Sequence, residues 1–314
     1  MSYPTCYRSF KEFCNSNKHI TNRFVNKLIR VRPFDVTLRD GMQKSKHIST
    51  ITKQEIYNNI IQKYGVSQIE IGSCVNPKIL PIFSDTEELF SYVNNNKNQD
   101  TKTVSDLCIP LKHYVLVPNE KQLMRAIKMG ANHFSFITSV SNSFQFKNTK
   151  MNLTENLVNL KNMLTILNEN ASIETNEYRV KLYVSCITEC PIEGEINLFN
   201  IVSELYVLSL LNVDMICLSD TCGTLTHDTF VLLIEYMKKL GLDMSRFSLH
   251  LHVNPDRENE VEQIVHTAID CGIMEFDVSE LNNGGCSVTM DNEKMLPNMN
   301  YQQYYKFLTN YLLK

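Results

Sequence analysis

The sequence predicts an α/β fold, a TIM (β/α)8 barrel in which a closed parallel sheet is surrounded by outer helices. Short apolar or β-branched runs alternate eight times with segments of helical periodicity along the 314 residues. Such an alternation is typical of a parallel sheet that closes into a barrel. Because no Gly/Ser-rich or Pro-rich linker interrupts the series, we expect one barrel over residues 31–314, after an N-terminal extension over residues 1–30.

Each predicted strand is a short apolar or β-branched run that is followed by a predicted helix. The first begins after Pro33, which cannot donate to a sheet ladder and therefore suits the start of a strand. The predicted strands are 34–38, 68–73, 112–117, 133–138, 180–186, 215–219, 247–252 and 274–278. The predicted helices are 53–64, 85–93, 120–129, 153–168, 198–211, 227–240, 258–271 and 301–312. Two polar segments, 94–103 and 171–178, are interpreted as surface loops.

Composition and charge exclude several classes of protein. With 43% hydrophobic residues the chain can bury a large core, and its net charge of −3 gives no global basic field for nucleic acid. Ten cysteines without a secretory signal indicate reduced thiols. No stretch approaches the roughly 18 apolar residues of a membrane span, so we expect a soluble protein without a membrane or nucleic-acid partner.

The first thirty residues are basic, and Glu12 is their single acid. The basic residues are Arg8, Lys11, Lys18, Arg23, Lys27 and Arg30. An acid-poor, basic leader of this kind is a feature of mitochondrial targeting segments. The alternative is an irregular extension packed on the barrel, and in that case the prediction is a cytoplasmic protein.

Polar residues follow the predicted strands at their carboxyl ends, where barrel enzymes carry catalytic side chains. They are Arg39, Asp40, Glu70, Cys186, Asp220, Thr221, His250, His252 and the Asn-Asn-Gly-Gly-Cys segment 282–286. A random distribution between the two barrel faces would place about half of them at the other end. The pattern therefore predicts a functional site at this rim.

His250 and His252 are candidate metal ligands. Residues two apart in a strand point the same way, so both imidazoles can reach one ion. Together with the Asp40 carboxylate at the same rim, they suit a divalent cation that keeps open positions for a substrate. The alternative is a pair of lumen histidines that are hydrogen-bonded to their neighbours.

Three other polar residues of the rim have both a functional and a structural interpretation. Arg39 offers a fixed cation for a substrate carboxylate or a developing enolate, although an average arginine is simply solvated. Glu70 lies in an apolar Ile-Glu-Ile run, where a carboxylate is costly to bury unless it is paired, and Arg39 is the expected partner. Asp220 either acts in the site or caps the helix that follows.

The cysteines near the rim divide into two cases. Cys286 follows two glycines, so its thiol is expected on an accessible loop that can move, where it can serve as a general acid or base. The alternative interpretation is that Cys286 is a small core residue. Cys186 and Cys190 have the spacing of half a zinc site, but no second pair stands nearby in sequence, so we reject zinc there.

The segment 35–43, Asp-Val-Thr-Leu-Arg-Asp-Gly-Met-Gln, resembles the motif that opens the DRE-TIM metallolyases. The other motifs are similar to one branch of that superfamily, the 3-hydroxy-3-methylglutaryl-CoA lyase family. They are Ile69-Glu70 with segment 73–78, segment 183–186 with Cys190-Pro191 and Glu193-Gly194, segment 218–223, the His250/His252 pair, and Gly284-Gly285-Cys286. The resemblance runs from about Val31 to the C terminus, and six motifs in the family's order make it specific.

This resemblance implies a barrel that holds Mg2+ or Mn2+ and cleaves 3-hydroxy-3-methylglutaryl-CoA, or a close 3-hydroxyacyl-CoA, to acetyl-CoA and a keto acid. The residues that match metal ligands are Asp40, His250, His252 and Asn298. The residues that match catalytic positions are Arg39, Glu70, Asp220, His250 and Cys286. Lys46 has the spacing of a lysine that meets a CoA phosphate. The resemblance thus implies an acyl-CoA as the partner, and it allows a homodimer.

The chain departs from the family pattern at the segment 253–255, Val-Asn-Pro, and at the segment 287–297, which is longer and lacks the family's glycines. It also ends before the family's usual C-terminal segment. Asn298 is nevertheless the expected amide ligand, because Leu308 then falls where the following helix has a leucine; Asn292 is the alternative. Two other functions stay open: a related acyl-CoA aldol or Claisen enzyme on the same site, and an inactive barrel that binds metal.

Overall fold

Eight parallel strands form a closed barrel in the computed structural model, which describes residues 30–45, 47–100, 111–174, 177–285, 289–290 and 295–314. The strands are β1 Arg32–Asp35, β2 Gln68–Ser73, β3 Lys112–Leu116, β4 His133–Ser139, β5 Arg179–Ser185, β6 Met215–Asp220, β7 Phe247–Leu251 and β8 Glu275–Val278. Each strand pairs with its neighbours in sequence, and β1 closes the barrel by pairing with both β2 and β8. The predicted TIM barrel is therefore confirmed.

The first strand ends earlier than predicted, at Asp35. The Asp35 side chain accepts hydrogen bonds of 2.9 Å from both the backbone N–H and the hydroxyl of Thr37. These local bonds compete with the sheet ladder and turn the chain out of the strand. Residues 36–38 consequently form the first part of the loop that carries the rim residues.

The helices surround the barrel as predicted, with one addition. They are α1 Thr50–Tyr64, α2 Thr86–Asp100, α3 Glu120–Lys128, α4 Asn142–Thr149, α5 Leu153–Glu174, α6 Leu198–Ser209, α7 His227–Lys239, α8 Glu258–Cys271 and α9 Tyr301–Leu312. Helix α4 was not predicted. The interpretation of segments 94–103 and 171–178 as loops is wrong over 94–100 and 171–174, which continue α2 and α5.

The lumen of the barrel holds a buried ion network, whereas the layer between sheet and helices is apolar. Lys181 Nζ of β5 lies 3.0 Å from Glu275 Oε1 and 2.6 Å from Asp277 Oδ1 of β8. The same ammonium lies 3.5 Å from the centre of the Phe34 ring. Buried charges are tolerated when they are paired, so this network connects strands across the lumen and reaches towards the carboxyl rim.

None of the described helices is long and apolar enough to cross a membrane. The predicted extension lies outside the described residues except for Arg30, so its boundary with the barrel stays a prediction.

Candidate metal centre

Three buried side chains at the carboxyl rim lie around one point: Asp40, His250 and His252. His250 belongs to β7 and His252 directly follows that strand, so the alternation of strand side chains turns both imidazoles the same way. Asp40 opens a short 3-10 turn after β1. The turn is held by the Gly41 N–H, which donates to the Val36 carbonyl at 3.0 Å.

The three side chains are close enough to share a cation. One candidate ligand atom from each lies within 4.8 Å of the other two. Nε2 of His250 is 3.7 Å from Asp40 Oδ2, and Nε2 of His252 is 3.9 Å from the same oxygen. Both separations exceed a hydrogen bond. Among the described residues no other group of three His, Cys, Asp or Glu side chains is so placed, and Cys186 and Cys190 join none.

The second nitrogen of each imidazole is engaged. Nδ1 of His252 donates to the backbone carbonyl of Asp220 at 2.9 Å, and Nδ1 of His250 lies 2.9 Å from Asp277 Oδ2. A carbonyl and an ionised carboxylate only accept, so the neutral imidazoles carry their protons on Nδ1. Each Nε2 then presents a lone pair towards Asp40. The buried Nε2 of His252 accepts no hydrogen bond from any described residue, which is unlike an ordinary lumen histidine.

Asn298 completes the arrangement. Its Nδ2 donates to Asp40 Oδ2 at 2.9 Å, and its buried Oδ1 has no hydrogen-bond partner within the described ranges of the chain. A backbone bridge pairs Asn298 with His252 and thereby brings the amide to the rim. The alternative ligand, Asn292, lies outside the described residues.

The electrostatics fit a divalent cation. Burial alone would raise the pKa of Asp40, but Arg39, His252 and His250 together lower it well below its ordinary value. Burial alone would lower the pKa of His252, but Asp40 and Asp220 together raise it. A carboxylate, two imidazole lone pairs and an amide oxygen suit a divalent cation, and two of these atoms have no hydrogen-bond partner among the described residues.

Arg39 lies beside this centre in a buried network. Its Nη1 donates to Asp40 Oδ1 at 2.7 Å and its Nε donates to Glu70 Oε2 at 2.5 Å. The Tyr183 hydroxyl donates to the same Glu70 oxygen at 3.3 Å, and the guanidinium lies 5.0 Å from the Tyr183 ring centre. Burial would lower the pKa of Arg39, but Glu70 and Asp40 raise it well above its ordinary value. The predicted pairing of Glu70 with Arg39 is therefore present in the structure.

Asp220 is engaged in backbone contacts. Its two carboxylate oxygens accept the N–H groups of Thr224 and Leu225, each at 3.1 Å, and its carbonyl holds His252. Burial raises the pKa of its carboxyl group, while these N–H donors partly offset the effect. The capping interpretation thus has direct contacts, and the catalytic role of Asp220 stays a prediction.

A cavity of about 100 Å³ opens over the centre. Its lining includes Arg39, Asp40, Tyr183, His250, His252 and Gly285. The Gly285 N–H lies 3.3 Å from Asp40 Oδ2, so the Gly-Gly segment contacts the centre. Cys286 and Lys46 lie outside the described residues, and their predicted roles are neither supported nor contradicted by contacts.

Sequence reasoning missed two side chains that hold the centre, Tyr183 and Asp277. In the sequence Tyr183 is distinguished only as part of a motif. Both residues lie in strands, and Asp277 is one of two acids, with Glu275, in the short buried strand β8. The argument that a buried charge must be paired, which singled out Glu70, applies to Asp277 as well.

Fold and rim together define the class of protein as a DRE-TIM barrel, with its Arg39-Asp40 pair after β1 and a candidate metal centre at the carboxyl face. The HMGL-like family model matches residues 30–299. The chain therefore belongs to the HMGL-like family, as predicted.

Named relatives agree with this assignment. The chain is 28% identical over 291 residues to the mitochondrial hydroxymethylglutaryl-CoA lyase of Arabidopsis thaliana. The alignment covers 89% of this chain and 57% of that protein. The chain thus spans little more than half the length of this relative.

Two solved structures share the fold. Hydroxymethylglutaryl-CoA lyase from Pseudomonas aeruginosa has a TM-score of 0.73 at 22% identity and covers 90% of this chain and 86% of its own. The HMG-CoA lyase of Acinetobacter baumannii, in complex with coenzyme A and 3-methylmalate, has a TM-score of 0.68 at 23% identity. The match covers 89% of this chain and 82% of the Acinetobacter chain.

Proposed function

We propose that this protein is a divalent-metal-dependent carbon–carbon lyase that cleaves 3-hydroxy-3-methylglutaryl-CoA to acetyl-CoA and acetoacetate. One observation carries the proposal. The Nε2 lone pairs of His250 and His252 and the Asn298 amide oxygen, which has no partner among the described residues, lie around Asp40, and the buried Arg39 lies next to them. The names of its relatives support the same reaction.

The reaction requires three events at neighbouring atoms. The C3 hydroxyl loses a proton, the C2–C3 bond breaks, and its electron pair passes to the acyl-CoA carbon as an enolate, which is then protonated to acetyl-CoA. A bound Mg2+ or Mn2+ supplies Lewis-acid polarisation of the substrate oxygens. In this proposal Asp40, His250, His252 and Asn298 hold the ion.

The side chains around the ion have separate tasks in this proposal. Arg39 stabilises the charge of the enolate, and Glu70 holds the guanidinium in place through their 2.5 Å contact. Asp220 orients His252 through its carbonyl and is the candidate for the group that takes the hydroxyl proton. His250 serves as a ligand, because its Nε2 faces the ion and its Nδ1 is engaged by Asp277. Lys46 binds a CoA phosphate, in line with the coenzyme A complex of the Acinetobacter neighbour.

Cys286 is proposed as the proton-transfer group of the Gly-Gly loop. General acid–base groups typically contribute about 10²–10⁴-fold, so Cys286→Ala should lose turnover on that scale. Its unfolding temperature should hardly change, because the sequence predicts an accessible loop thiol, and such a thiol leaves little cavity when it is shortened. An active but destabilised Cys286→Ala protein would instead identify a core cysteine.

One assay decides between the lyase and its two alternatives. The protein is loaded with Mn2+ or Mg2+ and incubated with a panel of 3-hydroxyacyl-CoAs, and acetyl-CoA release is measured, with His250→Ala as the control. Release from 3-hydroxy-3-methylglutaryl-CoA alone supports the proposed substrate, and release from another member identifies a related aldol enzyme. Condensation of acetyl-CoA with a keto acid identifies the Claisen alternative. Metal binding without any turnover identifies an inactive barrel.

The assembly and the compartment are finer parts of the proposal. The adjacent helices α6 and α7 expose large apolar side chains, which are Phe199, Tyr206, Val207, Leu210, Leu232, Tyr236 and Leu240. Concentrated apolar surface of this kind often marks an interface, which supports a homodimer. The molecular mass in solution tests it. A cytoplasmic location is proposed, with the mitochondrion as the alternative if the basic N-terminal segment is a targeting peptide.

A further inference from the structure

A second cavity, of about 360 Å³, lies at the amino end of the barrel, opposite the metal centre. Its lining includes the first residue of six of the eight strands: Arg32, Gln68, Lys112, Arg179, Met215 and Glu275. Barrel active sites lie at the other end, so this cavity has no part in the proposed lyase reaction.

The lining is rich in cations. Arg30, Arg32, Lys112, Arg179 and Lys181 face two carboxylates, Asp214 and Glu275. The cations therefore exceed the acids by three, in a chain whose net charge is −3.

Both carboxylates are already committed. Asp214 accepts from Arg179 Nη1 at 2.6 Å and from the Val180 N–H at 2.7 Å. Glu275 accepts from Lys181 at 3.0 Å and from the Gln68 amide at 2.6 Å. Glu275 is the register neighbour of Arg32 across β1 and β8, but its ion pair is with Lys181, and that of Asp214 is with Arg179.

Arg30, Arg32 and Lys112 form no ion pair with any described residue. Arg30 and Arg32 are exposed, and Lys112 is half-buried at the base of β3. The segment 1–29, which precedes Arg30, contains five Lys or Arg residues and one acid, so its charge does not complement the cavity. Within the part of the chain that the structure describes, these three cations therefore lack an acidic partner.

We propose that this cavity binds a small anion that carries phosphoryl groups, of the size of a diphosphate. Guanidinium groups form paired hydrogen bonds with phosphate oxygens, and an ammonium adds a point charge. A cavity of this volume exceeds the roughly 30 Å³ share of one water many times, so it accommodates a multi-atom anion.

The test is calorimetric titration of inorganic pyrophosphate into the metal-free, full-length protein, so that no bound ion recruits the anion. We expect saturable binding at one site. Hydrogen bonds to charged groups are strong, so Arg32→Gln and Lys112→Gln should each weaken binding about tenfold or more. Arg32→Lys, which keeps the charge, should retain more of the affinity than Arg32→Gln.

The matched control is Lys161→Gln, which removes one exposed positive charge from α5, away from the cavity. It should bind pyrophosphate like the parent. The absence of saturable binding, or equal affinity in all variants, overturns the proposal; two independent positions keep the test valid if one variant fails to fold.

A parallel titration with ADP distinguishes the sources of the phosphoryl groups. Equal affinity for ADP and pyrophosphate supports recognition of the phosphates alone, and tighter binding of ADP supports a nucleoside diphosphate. ADP binding that is unchanged in Arg32→Gln and Lys112→Gln places that ligand elsewhere and counts against the proposal.

Discussion

The orientation of the two histidines is decided by the atoms behind them. Asp277 Oδ2 lies 2.9 Å from His250 Nδ1, and Asp277 Oδ1 lies 2.6 Å from Lys181 Nζ. Burial would raise the pKa of Asp277, but Lys181 and His250 together lower it. A carboxylate held ionised in this way fixes the tautomer and the ring orientation of His250.

Asp277→Asn should therefore weaken Mn2+ binding about 10- to 100-fold, the usual effect of losing a partner behind a metal ligand. The variant keeps the shape of the side chain and removes its charge. Titration of Mn2+ measures the change. The matched control is Glu275→Gln, which also removes a carboxylate from Lys181 but does not contact a histidine. Equal Mn2+ affinity in the two variants would contradict the positioning role of Asp277.

The carboxyl group of Asp35 gives a stability prediction that is independent of metal. Burial raises its pKa from 3.8 to about 7, although the hydroxyl of Tyr301 at 2.6 Å and the Thr37 donors partly offset the effect. Between these values the folded protein keeps a proton that the unfolded chain releases. The contribution of Asp35 to the free energy of unfolding therefore falls as the pH rises from about 4 to about 7.

The measurement compares the parent with Asp35→Asn by chemical denaturation across this range. The free energy of unfolding of the parent, relative to the variant, should decrease by up to about 1.4 kcal/mol per pH unit and then level off. A difference that does not change with pH would refute the raised pKa.

Most site residues were predictable because they combine unusual chemistry with position in the sequence. Asp40, His250 and His252 stand at strand ends, and Glu70 interrupts an apolar run. Asp277 escaped prediction because its partner, Lys181, is 96 residues away, and only the register of the closed sheet brings the two together.

At the level of elements, the segment after β8 reaches the centre through a close packing contact. A Cβ atom at Gly284 would lie 2.7 Å from Asn298 Oδ1 and 2.8 Å from its Cγ, whereas real contacts of this kind are longer. Gly284 does not have a positive φ, so an alanine is allowed there by the backbone and meets only this steric obstacle.

Gly284→Ala should therefore displace Asn298 and weaken Mn2+ binding about 10-fold or more, since even changes behind a ligand have effects of that size. Gly130→Ala is the contrasting control. Its φ of +88° strains an alanine, but nothing lies within 4 Å of the added Cβ. It should lower stability by about 1 kcal/mol and leave Mn2+ affinity intact. Unchanged Mn2+ affinity in Gly284→Ala would mean that Asn298 is not a ligand of the metal.

The order of strands and helices was predictable from periodicity, whereas helix ends were not. Apolar periodicity reports only the buried face, so it stopped before the polar residues 94–100 and before 171–174, where Ala171 and Ile173 are too few to continue the pattern. Asn, Lys, Gln and Glu have moderate or good helix propensity, and an anchored helix continues through them at little cost. Helix α4 was not predicted because its eight residues are too few to show a clear helical period. Its start is fixed instead by a cap, in which the Ser141 hydroxyl accepts the Phe144 N–H at 3.1 Å.

At the scale of the whole molecule, the candidate metal centre lies where the barrel closes. Asp40 follows β1, His250 lies in β7 with His252 directly after it, and Asn298 follows β8, so the candidate ligands come from three strands that are adjacent in the closed sheet. A bound cation would connect the first strand of the barrel, β1, with its last two strands, β7 and β8. Because the unfolded chain cannot bring these ligands together, metal binding stabilises the folded barrel as a whole.

Adding Mn2+ at about 100 times its Kd should therefore raise the free energy of unfolding by about 2.7 kcal/mol. For a chain of this size the expected rise in Tm is several degrees, measured by thermal denaturation at fixed ionic strength. His252→Ala removes a ligand from the centre and should show little or no rise at the same Mn2+ concentration. Lys161→Gln, on the outer face of α5, should respond like the parent. If Mn2+ raises the Tm of His252→Ala as much as that of the parent, the ion binds elsewhere. The candidate centre would then make no contribution to the stability of the closed barrel.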